Sequence, residues 1–394
     1  MKNSDPVQQP TVATDLPVAF GTGLIALDVI INAAAAREPA MAAGGTCGNV
    51  LAILSYLGWA TFPVARLNGD TAAEIVRADL GRWGVSLGFS AQTPTTATPI
   101  IVQTIRRDQH GSPIHRFSLV CPVCGAWFPT FRAITSAAAY GVIDTLVATA
   151  PSDFNPRVFY FDRVSRGALI LADAFAARGA VVMFEPASAG DPKLFNEALS
   201  ITHILKYSHE RLPSLAAQPA RRKLLLEIET RGFEGLRYRS SLLRSRAWHA
   251  LASVRAPQVV DTAGAGDWCT AGLLSRLAVT GLNGLADSRP CDLSAGLRFG
   301  QAAAAIACCF EGARGAMYVL SGSRFAQKAA TLLAAKSDPS LNRTDHTVRV
   351  SPEETTEHCL GLGEGPKEPP AKSRQVMRSP LRKSPVGALC SACG

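Results

Sequence analysis

In VVDTAGAGDWCTAGLL, residues 259–274, two carboxylates bracket a run almost without side chains: Asp261, then Ala263, Gly264, Ala265 and Gly266, then Asp267. The segment reads as a strand that ends in small residues and enters a helix. Backbone N–H groups at such a helix start, with the helix dipole behind them, make an anion site. Gly264, Ala265 and Gly266 let a bulky anion come within hydrogen-bonding distance. A carboxylate at the rim suits phosphoryl transfer: Asp267 would accept the proton of a hydroxyl while the N–H groups take the charge on the moving group. The helix N-terminus is expected to keep Asp267 ionised at neutral pH. The plainer alternative makes Asp267 an N-cap after a glycine turn. It explains one acid, but not four near-bare residues between two acids.

The elements that must position this segment follow from periodicity. VAFGTGLIALDVII (18–31) reads as strand, glycine turn and strand. In GGTCGNVLAILSYLGW (44–59), Val50, Leu51, Ile53, Leu54 and Leu57 share a helical face, with Gly58 as the stop. TFPVARL returns as a strand and TAAEIVRADLGRWGV as a helix. TPIIVQTIRR and PIHRFSLV form a hairpin around QHGS. From about residue 157 strand and helix alternate: RVFYF, RGALILADAFAARG, AVVMF, ITHIL, KLLLEIE, the opening segment, and the helix SAGLRFGQAAAAIACCF. This order implies an α/β fold with a central, mainly parallel sheet covered by helices on both faces. The hairpin does not fit that layer and is expected to form a small β subdomain. Ligands collect beyond the carboxyl ends of parallel strands, where residues 263–267 would lie.

The chain has 394 residues, 47% hydrophobic and 18% charged, enough for a large core. Its net charge of +9 comes from 40 Lys+Arg against 31 Asp+Glu, a mixed surface that suits anionic ligands such as nucleotides, so the sign of the charge does not decide the partner; nucleic acid is not the expected one. No apolar run long enough to cross a membrane and no apolar leader stand out, and several of the ten cysteines sit in helix-like runs. A reduced, cytoplasmic setting is expected. Residues 1–16 read as a flexible arm, and 336–394 as a disordered basic tail ending in CSACG.

DTAGAGD resembles the C-terminal motif of the ribokinase-like (PfkB) carbohydrate kinases, and further motifs match in the family's order. AGGTCGNVLAILSYLG (43–58) resembles its glycine motif with an asparagine, and GLIALD (23–28) the strand ending in a substrate-binding acid. ARLNGD (65–70) resembles the following G-x-D, and TRGFEG (230–235) the T-x-G-x-x-G nucleotide turn. FGQAAAAI (299–306) and GARGAM (312–317) resemble the closing helix and loop. The resemblance spans about 18–320. It implies a kinase domain over 17–335 with a small β lid built from about 31–45 and 95–125. By the same resemblance Asp267 is the general base and Gly264, Ala265 and Gly266 the anion hole. Asp28, Gly44, Gly45 and Asn49 would hold the acceptor. Thr230, Gly232, Gly235 and Gln301 would border ATP, and Asp261 marks a monovalent-cation (K⁺) position. Each has a plainer reading: a loop for Gly44 and Gly45, an N-cap for Asn49, a surface acid for Asp28, a tight turn for Thr230–Gly235, and a structural role for Gln301.

The chain departs from the family at N-x-x-E, which sits near Mg²⁺ and the phosphates. KYSHER (206–211) has Ser208 for the asparagine and Arg211 for the glutamate, with Glu210 one position away as a substitute. Mg²⁺ is held mostly by phosphates and water. Trp268 is bulky for its position and is expected to pack against the sheet. Two C-x-x-C-G pairs, Cys121/Cys124 and Cys390/Cys393, could together supply the four thiolates of a structural Zn²⁺ site, or remain reduced thiols.

The expected function is transfer of the ATP γ-phosphoryl group to a hydroxyl of a sugar or sugar-like molecule. A nucleoside kinase of the same fold and a catalytically weak ligand-binding regulator are the alternatives. ATP and the acceptor are the expected ligands, and a homodimer is an open option.

Overall fold

A computed structural model describes residues 15–335, apart from 33–37, 68, 93–96, 110–112, 123, 152–153, 214 and 216–222. The expectations for the first fourteen residues and for the tail with Cys390 and Cys393 lie outside the described residues.

The chain begins with β1 (Val18–Thr22), β2 (Ala26–Asn32), β3 (Ala40–Gly44), α1 (Thr46–Tyr56), β4 (Ala60–Pro63), β5 (Ala65–Leu67) and α2 (Thr71–Arg82). Next come β6 (Ser90–Gln92), β7 (Ile100–Arg107), β8 (Pro113–Ser118) and α3 (Ser136–Thr149). The alternating half holds β9 (Val158–Phe161), α4 (Arg166–Ala176), β10 (Val181–Phe184), α5 (Pro192–Ile201), β11 (Ile204–Ser208) and β12 (Leu226–Thr230). It ends with β13 (Gly235–Ser240), β14 (His249–Ala252), α6 (Ala265–Leu277), α7 (Gly281–Ala286), α8 (Pro290–Ala307), α9 (Gly315–Val319) and α10 (Gly322–Ala335).

The main sheet runs β14-β13-β12-β11-β10-β9-β1-β4, parallel except for β13 and β14 at one edge. Its strands are apolar on both faces, as a covered parallel sheet requires. Ala19, Val158, Tyr160, Val181, Met183 and Ile204 pack with α1, α6 and α8. Phe20, Phe159, Phe161, Val182, Phe184 and Leu205 pack with α3, α4 and α5. Side-chain oxygens cap the helix starts: Asp70 for α2, Thr135 for α3, Ser165 for α4 and Asp191 for α5. No helix among the described residues is long and apolar enough to cross a membrane.

The hairpin β7–β8 forms, as expected, outside this layer. It joins β2 and β3 in a separate sheet of order β3-β2-β7-β8. TFPVARL gives two strands rather than one, because β4 ends the main sheet while β5 pairs with β6. One expectation fails. Val259 and Val260 do not form a strand leading into the glycine segment. The edge is taken by the hairpin β13–β14, and the amides of Val260 and Asp261 both donate to Cys308 O, at 2.8 and 3.2 Å. The glycine segment is therefore hung from the end of α8.

Candidate active site

The opening segment builds the start of α6. Gly264, at φ +73°, is the N-cap, so Asp267 is the third residue of the first turn rather than the cap. A Cβ at Gly264 would stand 2.4 Å from Ala313 O, so a side chain is excluded by conformation and by space. The Ala265 amide turns back to Thr262 O at 3.3 Å, which leaves Gly266 and Asp267 as the first-turn amides best suited to an anion. Gly266 is exposed.

Asn49 Nδ2 donates to Asp267 Oδ2 at 2.7 Å across 218 residues of sequence. This bond joins the two glycine motifs. Asn49 is buried inside α1, whose N-cap is Gly45 at φ +79°, so the N-cap reading of Asn49 falls. Its Oδ1 is buried without a protein partner, an acceptor still to be satisfied. A Cβ on Gly44 would lie 2.0 Å from the Asp28 carboxyl carbon, so bareness at 44 gives Asp28 its room. We expect Gly44→Ala to push that carboxylate aside and to weaken acceptor binding by about tenfold or more, an overpacking effect. Calorimetric titration with the acceptor would measure it; unchanged affinity would refute the placement of Asp28.

Electrostatics distinguish the two acids from surface carboxylates. Burial first, and Glu185 second, push Asp267 up to about 7, against the opposing effects of Asn49 and Lys206. The expectation that the helix start keeps Asp267 fully ionised at neutral pH is thus corrected: desolvation outweighs the dipole. Burial likewise pushes Asp28 up to about 7, with Arg314 pulling the other way. A base works only when ionised. The kcat/KM for an acceptor should therefore rise with pH up to about 7 and level off above it. A rate already flat from pH 5.5 upward would contradict Asp267 as the titrating base.

Several neighbours escape sequence reasoning. Fully buried Lys206, in β11, forms an ion pair with Glu185 and donates to Gly266 O at 3.2 Å. Burial works against the charge on Lys206, but Glu185, with Cys269 and Asp267, more than offsets it and holds the ammonium above its usual range. Thr270 Oγ1 donates to Glu185 Oε2 at 2.6 Å, and Tyr160 OH to the same oxygen at 3.4 Å. The available signal was a carboxylate directly after an apolar strand, FE at the end of β10, and a lysine inside the apolar run of β11. Arg314, in GARGAM, is also buried; it reaches Ala43 O and Asp79, tying this loop to β3 beside Gly44.

Ser208, Glu210, Thr230, Gly232 and Gly235, expected on the nucleotide side, cluster at the carboxyl ends of β11 and β12. Ser208 pairs with Thr230 in the ladder, and Thr230 Oγ1 donates to Tyr207 O at 3.3 Å. Glu210 is exposed in the turn after β11. Gly232, at φ +56°, lies in the 3-10 turn Gly232–Glu234, and Gly235, at φ +107°, starts β13 with no room for a Cβ beside Leu251 O. Gln301 is bonded to β14: Nε2 donates to Leu251 O at 3.3 Å, while Oε1 is buried without a protein partner. Trp268 packs as expected, fully buried, stacked on Phe325 at 4.9 Å and donating to Ala313 O at 3.0 Å. Cys121 is buried and Cys124 exposed around Gly125 at φ +74°. Among the described residues no three or more His, Cys, Asp or Glu converge to hold a metal ion.

The model of the pfkB family carbohydrate kinases matches residues 172–318, which include β11, the TRGFEG turn and the whole GAGD segment. The chain is PfkB-like. Its fold is the ribokinase-like one. A fructokinase with bound ATP from Xylella fastidiosa superposes with a TM-score of 0.60 at 18% identity, over 82% of this chain and 99% of that one. A ribokinase from Arabidopsis thaliana, complexed with ribose and ATP, gives 0.58 at 18%, over 80% and 99%. A nucleoside kinase from Burkholderia thailandensis in complex with inosine gives 0.56 at 17%, over 80% and 98%. No curated protein matches the PfkB-like chain in sequence. The structural likenesses establish its architecture, and the acceptor must be argued from the site.

Proposed function

We propose that this PfkB-like chain is an ATP-dependent phosphotransferase acting on a hydroxyl of a sugar or sugar-like molecule. The observation that carries the reading is the 2.7 Å bond from Asn49 to Asp267, which unites an acceptor-side motif with a base beside an anion site. Asp267 would take the hydroxyl proton, and the amides of Gly266 and Asp267 would face the transferred group. Asp28, Gly44, Gly45 and Asn49 would hold the acceptor, with Asn49 Oδ1 accepting from one of its hydroxyls. Ser208, Thr230, Gly232, Gly235 and Gln301 would border ATP. Mg²⁺ supplies charge neutralisation on the phosphates when bound. Glu210, exposed after β11, is the carboxylate that could reach it. The second sheet would act as a lid that excludes water.

A nucleoside acceptor is the second reading, favoured by two exposed aromatics at that sheet, Phe117 and Trp127, at 62% and 74% exposure. ADP release with Mg²⁺-ATP, measured against pentoses, hexoses, sugar acids, sugar phosphates and nucleosides, tests both. Turnover with a sugar supports the first reading, and turnover with nucleosides alone selects the second. Thermal stabilisation by ATP and sugar with no turnover would favour a ligand-binding regulator instead.

A further inference from the structure

Asp261 stands where the resemblance puts a monovalent cation, and its surroundings do not fit one. The side chain is fully buried. A carboxylate offers about four lone-pair positions. Three N–H groups donate to them here, and a ring nitrogen of His115 stands beside them. Ala263 N donates to Oδ1 at 2.6 Å and Gly312 N to Oδ2 at 2.8 Å. Gln103 Nε2 reaches Oδ2 at 3.3 Å, and His115 Nε2 lies 3.2 Å from Oδ1. A hard cation needs converging oxygens. Donors converging on Asp261 leave its oxygens spent.

Gln103 Nε2 also lies 3.1 Å from His115 Nδ1, and an amide NH₂ carries two hydrogens. With Nδ1 accepting from Gln103, the imidazole hydrogen sits on Nε2, the nitrogen 3.2 Å from Asp261 Oδ1. The Thr262 amide is directed at the same nitrogen from 3.4 Å, a longer contact. The reverse tautomer would turn the Gln103 oxygen toward the carboxylate, which is repulsive.

Gln103 is in β7 and His115 in β8, so two of the four groups come from the second sheet. That sheet meets the same region twice more. Asn32 Nδ2 donates to Glu311 Oε2 at 2.8 Å, and a Cβ on Gly312 would approach Ile30 Cδ1 to 2.9 Å.

We propose that Gln103 and His115 take the place of the monovalent cation: Asp261 is held from within the chain, and this latches the second sheet to the turn that leads into Gly264–Asp267. Both are positioning residues. Any effect of the latch on phosphoryl transfer rests on the proposed function, but the latch itself does not.

Two measurements on the full chain test it, and neither needs ATP or an acceptor, so failure of the kinase reading remains distinguishable. The wild-type Tm should be the same in KCl, NaCl and choline chloride at one ionic strength; a rise specific to KCl overturns the proposal. In His115→Ala, amide hydrogen exchange in the peptide spanning 259–264 should speed up by about tenfold, since one of the bonds restraining the turn is lost. His115→Gln, which keeps an N–H donor, should restore the slow exchange. Exchange in His115→Ala as slow as in wild type overturns the latch, as does failure of the glutamine variant to restore it. Should the alanine variant not fold, the salt comparison on the wild type still decides.

Discussion

Acceptor-dependent ADP release falls by about 10²–10⁴-fold when Asp267 is replaced by asparagine, while ATP still stabilises the fold. The two side chains have nearly the same shape, so Gly266 and the start of α6 keep their positions. What is lost is the proton acceptor. The bond from Asn49 is lost too, unless the new amide turns its oxygen toward Nδ2. The comparison of turnover with ATP-induced thermal stabilisation separates chemistry from binding. A variant that keeps more than a tenth of wild-type turnover would remove Asp267 from the role of base, since positioned proton transfer accounts for at least about a hundredfold.

Lys206→Met is expected to destabilise the fold by about 3–5 kcal/mol, the cost of leaving one member of a buried ion pair without its partner. Glu185 is that partner, with only 14% of its side chain exposed. Methionine fills the volume but donates nothing to Glu185 or to Gly266 O. A second effect has a definite sign. Lys206 lowers the pKa of Asp267 while Glu185 raises it, so the substitution should move the rise in kcat/KM to higher pH. Denaturant unfolding measures the first effect and a pH–rate profile the second. Stability within 1 kcal/mol of wild type would mean that Glu185 finds water or another donor, because surface pairs are worth no more than about that. Glu185→Gln should shift the profile the other way, since it removes a negative charge that raises Asp267.

The parts of the site made from contiguous residues were legible in the sequence. Gly264 to Asp267 declare themselves by bareness followed by an acid, and the helix they open is present. The alternation from residue 157 onward gave the sheet order its logic, because parallel strands buried on both faces show as short apolar runs. Contacts between distant segments were not legible from spacing. Asn49 and Asp267 meet only because α1 and α6 share one face of the sheet, and it was the resemblance that put both in one site. Lys206 hid in plain view, because in KYSHER the family comparison falls on Ser208 and Arg211, while Lys206 is buried in the strand before them. The valines at 259 and 260 suggested a strand by propensity, but the sheet edge was already taken by β13 and β14. Helix α3 buries Ala139, Val142 and Leu146 on one stripe, but exposed Tyr140 and Val147 blur that pattern in the sequence.

The stack of Trp268 on Phe325 sets an order of events for a nascent chain. Asp28 and Asn49 emerge from the ribosome early, and β1 must wait between β4 and β9 for its second neighbour. The residue beside the proposed base acquires its main aromatic neighbour only when α10 has been made, close to the end of the described fold. Domains fold as units during synthesis. A chain stalled between 301 and 322 would hold all the residues of the proposed site yet lack the cover over α6, and would expose the Trp268 ring to chaperones and proteases. Synthesis of the last helix is thus the step that closes the core behind the site.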